Sequence, residues 1–289
     1  MKKKNVIITL LAIVAMTLVL LSSCTIVRGY RADGAYGPTS FSYHKQQKDT
    51  VINRSDVFTF HRAARQYDWI DTLHFFNQGK HYRNTTLWDA IREKTETQGV
   101  LIIENDSIVY EKCMGGMTAD TIAGVFSITK SVTSLLCGIA IDEGYIKSTN
   151  DAVTDYLPEL KKKNPLWQKL TIRHLLDMRS GLDFDDTYSL SINAKKFKRL
   201  HAMARLNYGH NIPKQIRKLK FISEPGSEYN TSSIGAKKPE LPGYYAHGIR
   251  GQVLYVNPYK KQIMVRLGLK DDTYAHIPYL FEQLSNQLQ

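Results

Sequence analysis

The stretch Gly124-Val125-Phe126-Ser127-Ile128-Thr129-Lys130-Ser131-Val132-Thr133-Ser134-Leu135-Leu136-Cys137-Gly138-Ile139-Ala140-Ile141-Asp142-Glu143-Gly144 decides how this chain is read. Apolar residues at Ile128, Val132, Leu135, Leu136, Ile139 and Ala140 follow a helical period, so a helix is expected to open just after Ser127, bury one face and stop at Gly144. Ser127 and Lys130 are three apart, which sets both side chains on the same side of the first turn. A serine hydroxyl is a poor nucleophile until a neighbour takes its proton. A lysine does so when burial and nearby positive charge push its amine toward neutrality. The helix N-terminus adds peptide N–H groups and partial positive charge beside the reacting atom. Ser-x-x-Lys at this place is therefore a candidate acyl-transfer centre.

The tetrapeptide also arises by chance, and Ser42 with Lys45 repeats it in a polar stretch without a helical pattern. Context separates the two. A hairpin precedes Ser127: Gly99-Val100-Leu101-Ile102-Ile103-Glu104, a turn at Asn105-Asp106, then Ser107-Ile108-Val109-Tyr110. Beyond the helix stand the segments DAVTDYLPEL, from Asp151, and LTIRHLLDMRSGLD, from Leu170.

With these co-linear segments the chain resembles the beta-lactamase-related serine hydrolases, a group that takes in class C beta-lactamases, DD-peptidases, esterases and 6-aminohexanoate-dimer hydrolases. The resemblance runs from about Gly99 to Gly226 and again from about Gly248 to the C-terminus. It implies an α/β, beta-lactamase/transpeptidase-like fold: an antiparallel sheet flanked by helices, with a helical subdomain that is reduced here. It also implies that Ser127 is the nucleophile and Lys130 its base.

Two further family landmarks are altered. After the Pro225-Gly226 turn, family members carry a Tyr-x-Asn-like element whose tyrosine moves protons at the serine and the leaving group. Counting from that turn, the tyrosine position falls on Thr231 and its partner on Ser233; Tyr229 and Asn230 come two positions early. Tyr229 is the candidate phenol. The third landmark is a Lys/His-Thr/Ser-Gly element on the strand edging the site. In the matching stretch from Tyr245 to Pro258, Gly248 and Gly251 fit, Ala246 takes the cation position and His247 the hydroxyl position. His247 and Arg250 thus compete for the substrate-binding role beside Gly248. Backbone N–H groups of this strand and of Ser127 would form the oxyanion hole in the family arrangement. Between these landmarks the chain is short: only the residues from about 234 to 244 stand where the family has helices and a strand, so exposed apolar surface is expected.

At the other end, Lys2, Lys3 and Lys4 precede an apolar run from Val6 to Leu21, the form of a signal peptide over residues 1–23. Leu21-Ser22-Ser23-Cys24 resembles a lipobox, which would make Cys24 a lipidated first residue; an uncleaved membrane helix is the other reading. Either places the protein outside the cytoplasm and at a membrane. Residues 24–83 then form a membrane-proximal extension, read as extended with a short strand or helix near Val57–Ala64, and residues 84–289 the hydrolase domain, opening on a capped helix at Asn84. The closing strands, Val253–Val256 and Gln262–Leu267, lead to a C-terminal helix capped at Asp271-Asp272-Thr273.

With 289 residues, 43% of them hydrophobic, the chain is long enough for a full core. The formal charge of +12 falls to +9 without residues 1–23, and the excess lies in runs such as Lys161-Lys162-Lys163, read as solvated faces or as attraction to anionic envelope polymers. No nucleic-acid module accompanies them. Three cysteines make no disulfide scaffold, and Cys137 is expected to be a buried small hydrophobe. No metal or other cofactor is implied. The sequence therefore reads as an envelope-anchored hydrolase of a small-molecule or cell-envelope ester or amide. The other reading is an inactive relative that serves as a binding protein.

Overall fold

The structure, a computed structural model, describes residues 8–9, 11, 13–14, 16–17, 25–34, 37–45, 49–52, 57–75, 85–86, 91, 96–184, 204, 208–209, 211–227, 243–270 and 277–288. The helices are α1 (Thr25–Asp33), α2 (Ile128–Asp142), α3 (Val153–Tyr156), α4 (Leu166–Lys169), α5 (Ile172–Leu176), α6 (Ile212–Ile216) and α7 (Ile277–Gln287). The strands are β1 (His61–Arg62), β2 (His74–Phe75), β3 (Thr85–Thr86), β4 (Thr97–Glu104), β5 (Ser107–Cys113), β6 (Tyr244–Gly248), β7 (Gln252–Asn257) and β8 (Gln262–Gly268). They fall into two compact units. One comprises Thr39–Tyr43, Asp49–Ile139 and Ser233–Gln289; the other comprises Met1–Pro38, His44–Lys48 and Ala140–Ser232.

The first unit is built on a six-stranded sheet in the order β1-β5-β4-β8-β7-β6. β4 through β8 pair antiparallel, and the two-residue β1 joins β5 in parallel, so the sheet is mixed at one edge. The Asn105-Asp106 turn between β4 and β5 holds both residues at positive φ, 48° and 60°, the backbone a tight hairpin demands and one that Asn and Asp adopt readily. Ile102 pairs with Tyr110 but Ile103 with Ile108, so Val109 is the extra residue of a β-bulge, and Val109 and Tyr110 both enter the core.

Helix α7 covers one face of the sheet. Ile277, Leu280, Phe281 and Leu284 recur at helical spacing and pack on Val100, Ile102, Val253, Tyr255 and Met264, all nearly inaccessible to solvent. Each such side chain contributes about 1.5–3 kcal/mol of burial free energy. The edges of this face are polar and paired. Gln262 Nε2 donates to Glu104 Oε1 (2.7 Å), and Ser285 Oγ donates to Gln262 Oε1 (2.7 Å) while accepting from Asn257 Nδ2 (3.0 Å). Tyr67 donates its hydroxyl to Glu104 Oε2 (2.9 Å), a bond that raises the phenol above its ordinary pKa. At the opposite end the fully buried Arg266 donates from Nε to Thr97 Oγ1 (3.0 Å) and from Nη1 to the carbonyls of Arg250 (3.2 Å), Gly251 and Lys270 (3.2 Å).

The second unit has its own small core of Val153, Leu160, Trp167, Leu170 and Leu182, with Leu219 and Phe221 against it. Trp167 and Phe221 meet edge to face, their centroids 5.1 Å apart. Helix α5 opens on a reciprocal cap: Thr171 Oγ1 accepts from the His174 N–H (3.2 Å) and His174 Nδ1 accepts from the Thr171 N–H (3.3 Å). Gly181 turns the chain at φ 70°, where an added β-carbon would lie 2.4 Å from the Ser223 carbonyl oxygen.

Several expectations are corrected. The apolar face of α2 is not buried: Ile128 is, but Val132, Leu135, Leu136 and Ile139 are 49–69% exposed. Cys137 is half-exposed rather than buried, and both it and the exposed Cys113 are free thiols. Thr85–Thr86 pair with His74–Phe75 as strands rather than opening a capped helix, although Ile91 downstream is helical and buried. The stretch read as an extended extension does form a short strand within Val57–Ala64, β1, but it also holds the helix α1 and places Ile70 in the core of the sheet. The second Ser-x-x-Lys lies in a 3-10 helix, Ser40–Lys45, with Ser42 buried and accepting from the Thr39 N–H (2.9 Å), which marks it as a turn element. Cys24 and Asp271-Asp272-Thr273 lie outside the described residues. Among the described residues no helix is long and apolar enough to cross a membrane.

Candidate active site

Ser127 belongs to the sheet unit. The chain enters α2 through a tight turn: the N–H groups of Ile128, Thr129 and Lys130 reach back to the carbonyls of Val125 (3.2 Å), Phe126 (3.0 Å) and Ser127 (3.0 Å). These i to i+3 bonds wind the start of the helix tightly. Phe126, immediately before Ser127, holds φ at 48°, a left-handed conformation that a bulky residue keeps only when its surroundings enforce it, at a cost of about 1–3 kcal/mol. The result presents Ser127, half-buried, at the mouth of the helix. Among the described residues no acceptor takes its N–H.

Lys130 Nζ donates to Ser127 Oγ at 3.0 Å, so the sequence spacing does bring amine and alcohol into contact. The lysine side chain is exposed. The burial expected for this amine is not observed.

Strand β6 comes up against the same turn. A β-carbon on Gly248 would stand 2.5 Å from the Val125 carbonyl oxygen and 3.2 Å from the Ser127 nitrogen. No side chain fits there, and the glycine lets the two backbones approach. Gly248 pairs with Gln252, and His247 with Val253. Directly opposed residues in an antiparallel pair share a face and successive residues alternate. His247 therefore lies with Val253 on the α7 face, while Gly248 lies on the face that meets Ser127. Arg250 sits one turn on, in a left-handed conformation (φ 66°), its carbonyl held by Arg266 Nη1 and by Gln252 Nε2 (3.2 Å each). Tyr229, with Asn230, Thr231 and Ser233, lies outside the described residues. Of the candidate residues, then, Ser127, Lys130 and Gly248 are brought together, and His247 is turned to the other face.

Two residues that belong to no motif complete the surroundings. Ser40 and Gln252, both fully buried, tie the turn before Ser127 to the ends of β7 and β8. The Gly124 N–H donates to the Ser40 carbonyl (2.7 Å), Ser40 Oγ donates to the Gly268 carbonyl (2.7 Å), and Gln252 Nε2 donates to both Ser40 Oγ (3.1 Å) and Gly268 O (2.7 Å). No local signal in the sequence singles them out.

A family model described as Beta-lactamase matches residues 87–237, just over half of the chain. Among curated proteins, the 6-aminohexanoate-dimer hydrolase of Paenarthrobacter ureafaciens is 28% identical over 96 residues, 33% of this chain and 24% of that one. An uncharacterised protein of Alkalihalophilus pseudofirmus is 37% identical over 170 residues, 50% of this chain and 49% of the other. The chain thus spans half or less of the length of these curated relatives. A solved structure described as a candidate 6-aminohexanoate-dimer hydrolase from Bacillus anthracis superposes with a TM-score of 0.67 at 15% identity, covering 86% of this chain and 93% of that one, a likeness of fold. With a sheet backed by α7, a Ser-x-x-Lys helix entered through a strained turn, and a family model spanning more than half its length, the chain belongs to the beta-lactamase family.

Proposed function

We propose that the protein is a serine hydrolase that cleaves an ester or amide through an acyl-enzyme on Ser127. The observation that carries this reading is the 3.0 Å contact between Lys130 Nζ and Ser127 Oγ at the open end of α2. For attack, Lys130 must act as the neutral amine and take the hydroxyl proton while Oγ bonds to the substrate carbonyl carbon. The carbonyl oxygen becomes an oxyanion beside the Ser127 N–H and the backbone of β6, which the glycine at position 248 lets come close to the nucleophile turn. Collapse of that adduct breaks the bond to the leaving alcohol or amine, which takes up the proton. Water then attacks the acyl-enzyme by the same route in reverse, with Tyr229 the candidate second proton carrier. Arg250 is the proposed contact for a substrate carboxylate, since His247 faces away. Export and lipidation at Cys24 belong to this reading, with a small-molecule or cell-envelope substrate.

The exposed Lys130 favours a second reading, in which the fold is kept as an envelope-anchored binding protein without turnover. Intact-mass spectrometry of the full chain after exposure to a fluorophosphonate separates the two. The hydrolase reading expects one adduct that disappears in Ser127→Ala. An adduct that persists in that variant rejects Ser127 as nucleophile, and a folded chain that never forms one supports the binding protein.

A further inference from the structure

We propose that Ser40 is a positioning residue for Ser127, a strut from the N-terminal part of the chain that sets the spacing between the nucleophile turn and strand β6. The inference rests on the reading of Ser127 as nucleophile. Ser40 is 88 positions upstream of Ile128, the first residue of α2, yet it is fully inaccessible to solvent, and its carbonyl and its hydroxyl are both engaged by residues around the site. Its carbonyl accepts the Gly124 N–H at 2.7 Å, three residues before Ser127. Its hydroxyl donates to the Gly268 carbonyl at the end of β8 (2.7 Å) and accepts from Gln252 Nε2 (3.1 Å). Gln252 Oε1 in turn accepts the Gly268 N–H (3.1 Å). Gln252 is the residue opposite Gly248 in the β6–β7 pair, and Gly248 is the residue whose lack of a β-carbon lets β6 come close to Val125 O and the Ser127 nitrogen.

One buried cluster therefore holds both the nucleophile turn and the strand beside which the proposed oxyanion would form. Gly124 packs closely on Ser40 as well: a β-carbon on it would meet the Ser40 carbonyl oxygen at 3.4 Å. Phe126 supplies the reason such a strut is needed. A left-handed bulky residue relaxes when its flanks loosen, and relaxation there would swing the Ser127 N–H and Oγ together. A hydroxyl at position 40 anchors the residue whose carbonyl holds Gly124; an alanine keeps that carbonyl but loses the ties to Gly268 and Gln252 that fix it.

The test uses the full chain and the rate of fluorophosphonate labelling. A matched control is Ser285→Ala, which removes an equally buried, doubly bonded hydroxyl in the same unit on the α7 side. Ser40→Ala is expected to slow labelling about tenfold or more, with Ser285→Ala within about twofold of the parent at a comparable loss of thermal midpoint. Labelling by Ser40→Ala at the parent rate, or equal slowing in both variants, overturns the positioning role. Hydrogen exchange at the Gly124 amide gives a readout independent of chemistry. Faster exchange in Ser40→Ala than in Ser285→Ala supports the strut, and equal exchange overturns it. A parent protein that never labels would instead sink the nucleophile reading, leaving the exchange result to judge the strut.

Discussion

Helices α2 and α7 carry similar apolar patterns and meet different fates. In α7, Ile277, Leu280, Phe281 and Leu284 are no more than 2% exposed, pressed on the α7-facing side of the sheet. In α2, Val132, Leu135, Leu136 and Ile139 have the same helical spacing and are each about half exposed or more. A repeat of apolar residues says which side of a helix is apolar; it does not supply the surface that covers it. The two helices also divide the labour. α7 holds the sheet unit together, whereas α2 is held at its N-terminal turn and presents Ser127 and Lys130.

The comparison breaks first, and most visibly, through stability. Phe281→Ala removes a fully buried ring from the α7 core and is expected to cost about 3–5 kcal/mol in urea unfolding. The equivalent change on α2, Leu135→Ala, falls on a residue 69% exposed and is expected to stay within about 0.5 kcal/mol. Similar losses from the two substitutions would mean that the α2 face is covered in solution. The next effect concerns activity and leaves the core alone. Gly248→Ala puts a methyl 2.5 Å from the Val125 carbonyl oxygen, so strand and turn must separate. Fluorophosphonate labelling should slow by about a hundredfold, the scale of an ångström-sized misplacement, with far-ultraviolet dichroism unchanged. Parent-like labelling would show that the β6 approach to Ser127 is not needed.

What the sequence made legible was local. The β4–β5 and β7–β8 hairpins, the start and stop of α2 and the existence of a C-terminal helix are each written within a few consecutive residues, and all are observed. The contact of Ser127 with Lys130 follows from one turn of helix and was equally readable. The strut was not, because Ser40 and Gln252 are 212 positions apart and neither residue type predicts burial. Nor was the side on which His247 falls, which depends on its pairing with Val253 and so on strand register rather than on motif spacing. The Thr85–Thr86 strand was obscured for a related reason: threonine suits both a helix cap and a strand, and only the partner strand β2 decides between them.

The smallest expected effect lies just past the C-terminal end of α2, where the turn is polar rather than packed. Asp151 Oδ2 accepts from the Tyr156 hydroxyl (2.5 Å) and from the N–H groups of Lys147 (3.2 Å) and Ser148 (3.1 Å). The tyrosine bond is the main cause of a carboxyl pKa held below its ordinary value, with the two backbone bonds adding to it. A carboxyl depressed in the folded state stabilises it above the unfolded value of about 4, and that contribution is lost as the pH falls through the folded pKa. The same bond raises the Tyr156 phenol. Tyr156→Phe should therefore bring the Asp151 carboxyl resonance back toward an ordinary titration in carbon-detected NMR, while resonances of the α7 core stay where they are. An unmoved Asp151 would transfer the cause to the backbone donors of Lys147 and Ser148. A general shift of the α7 signals would show that this turn is not the local device its hydrogen bonds describe.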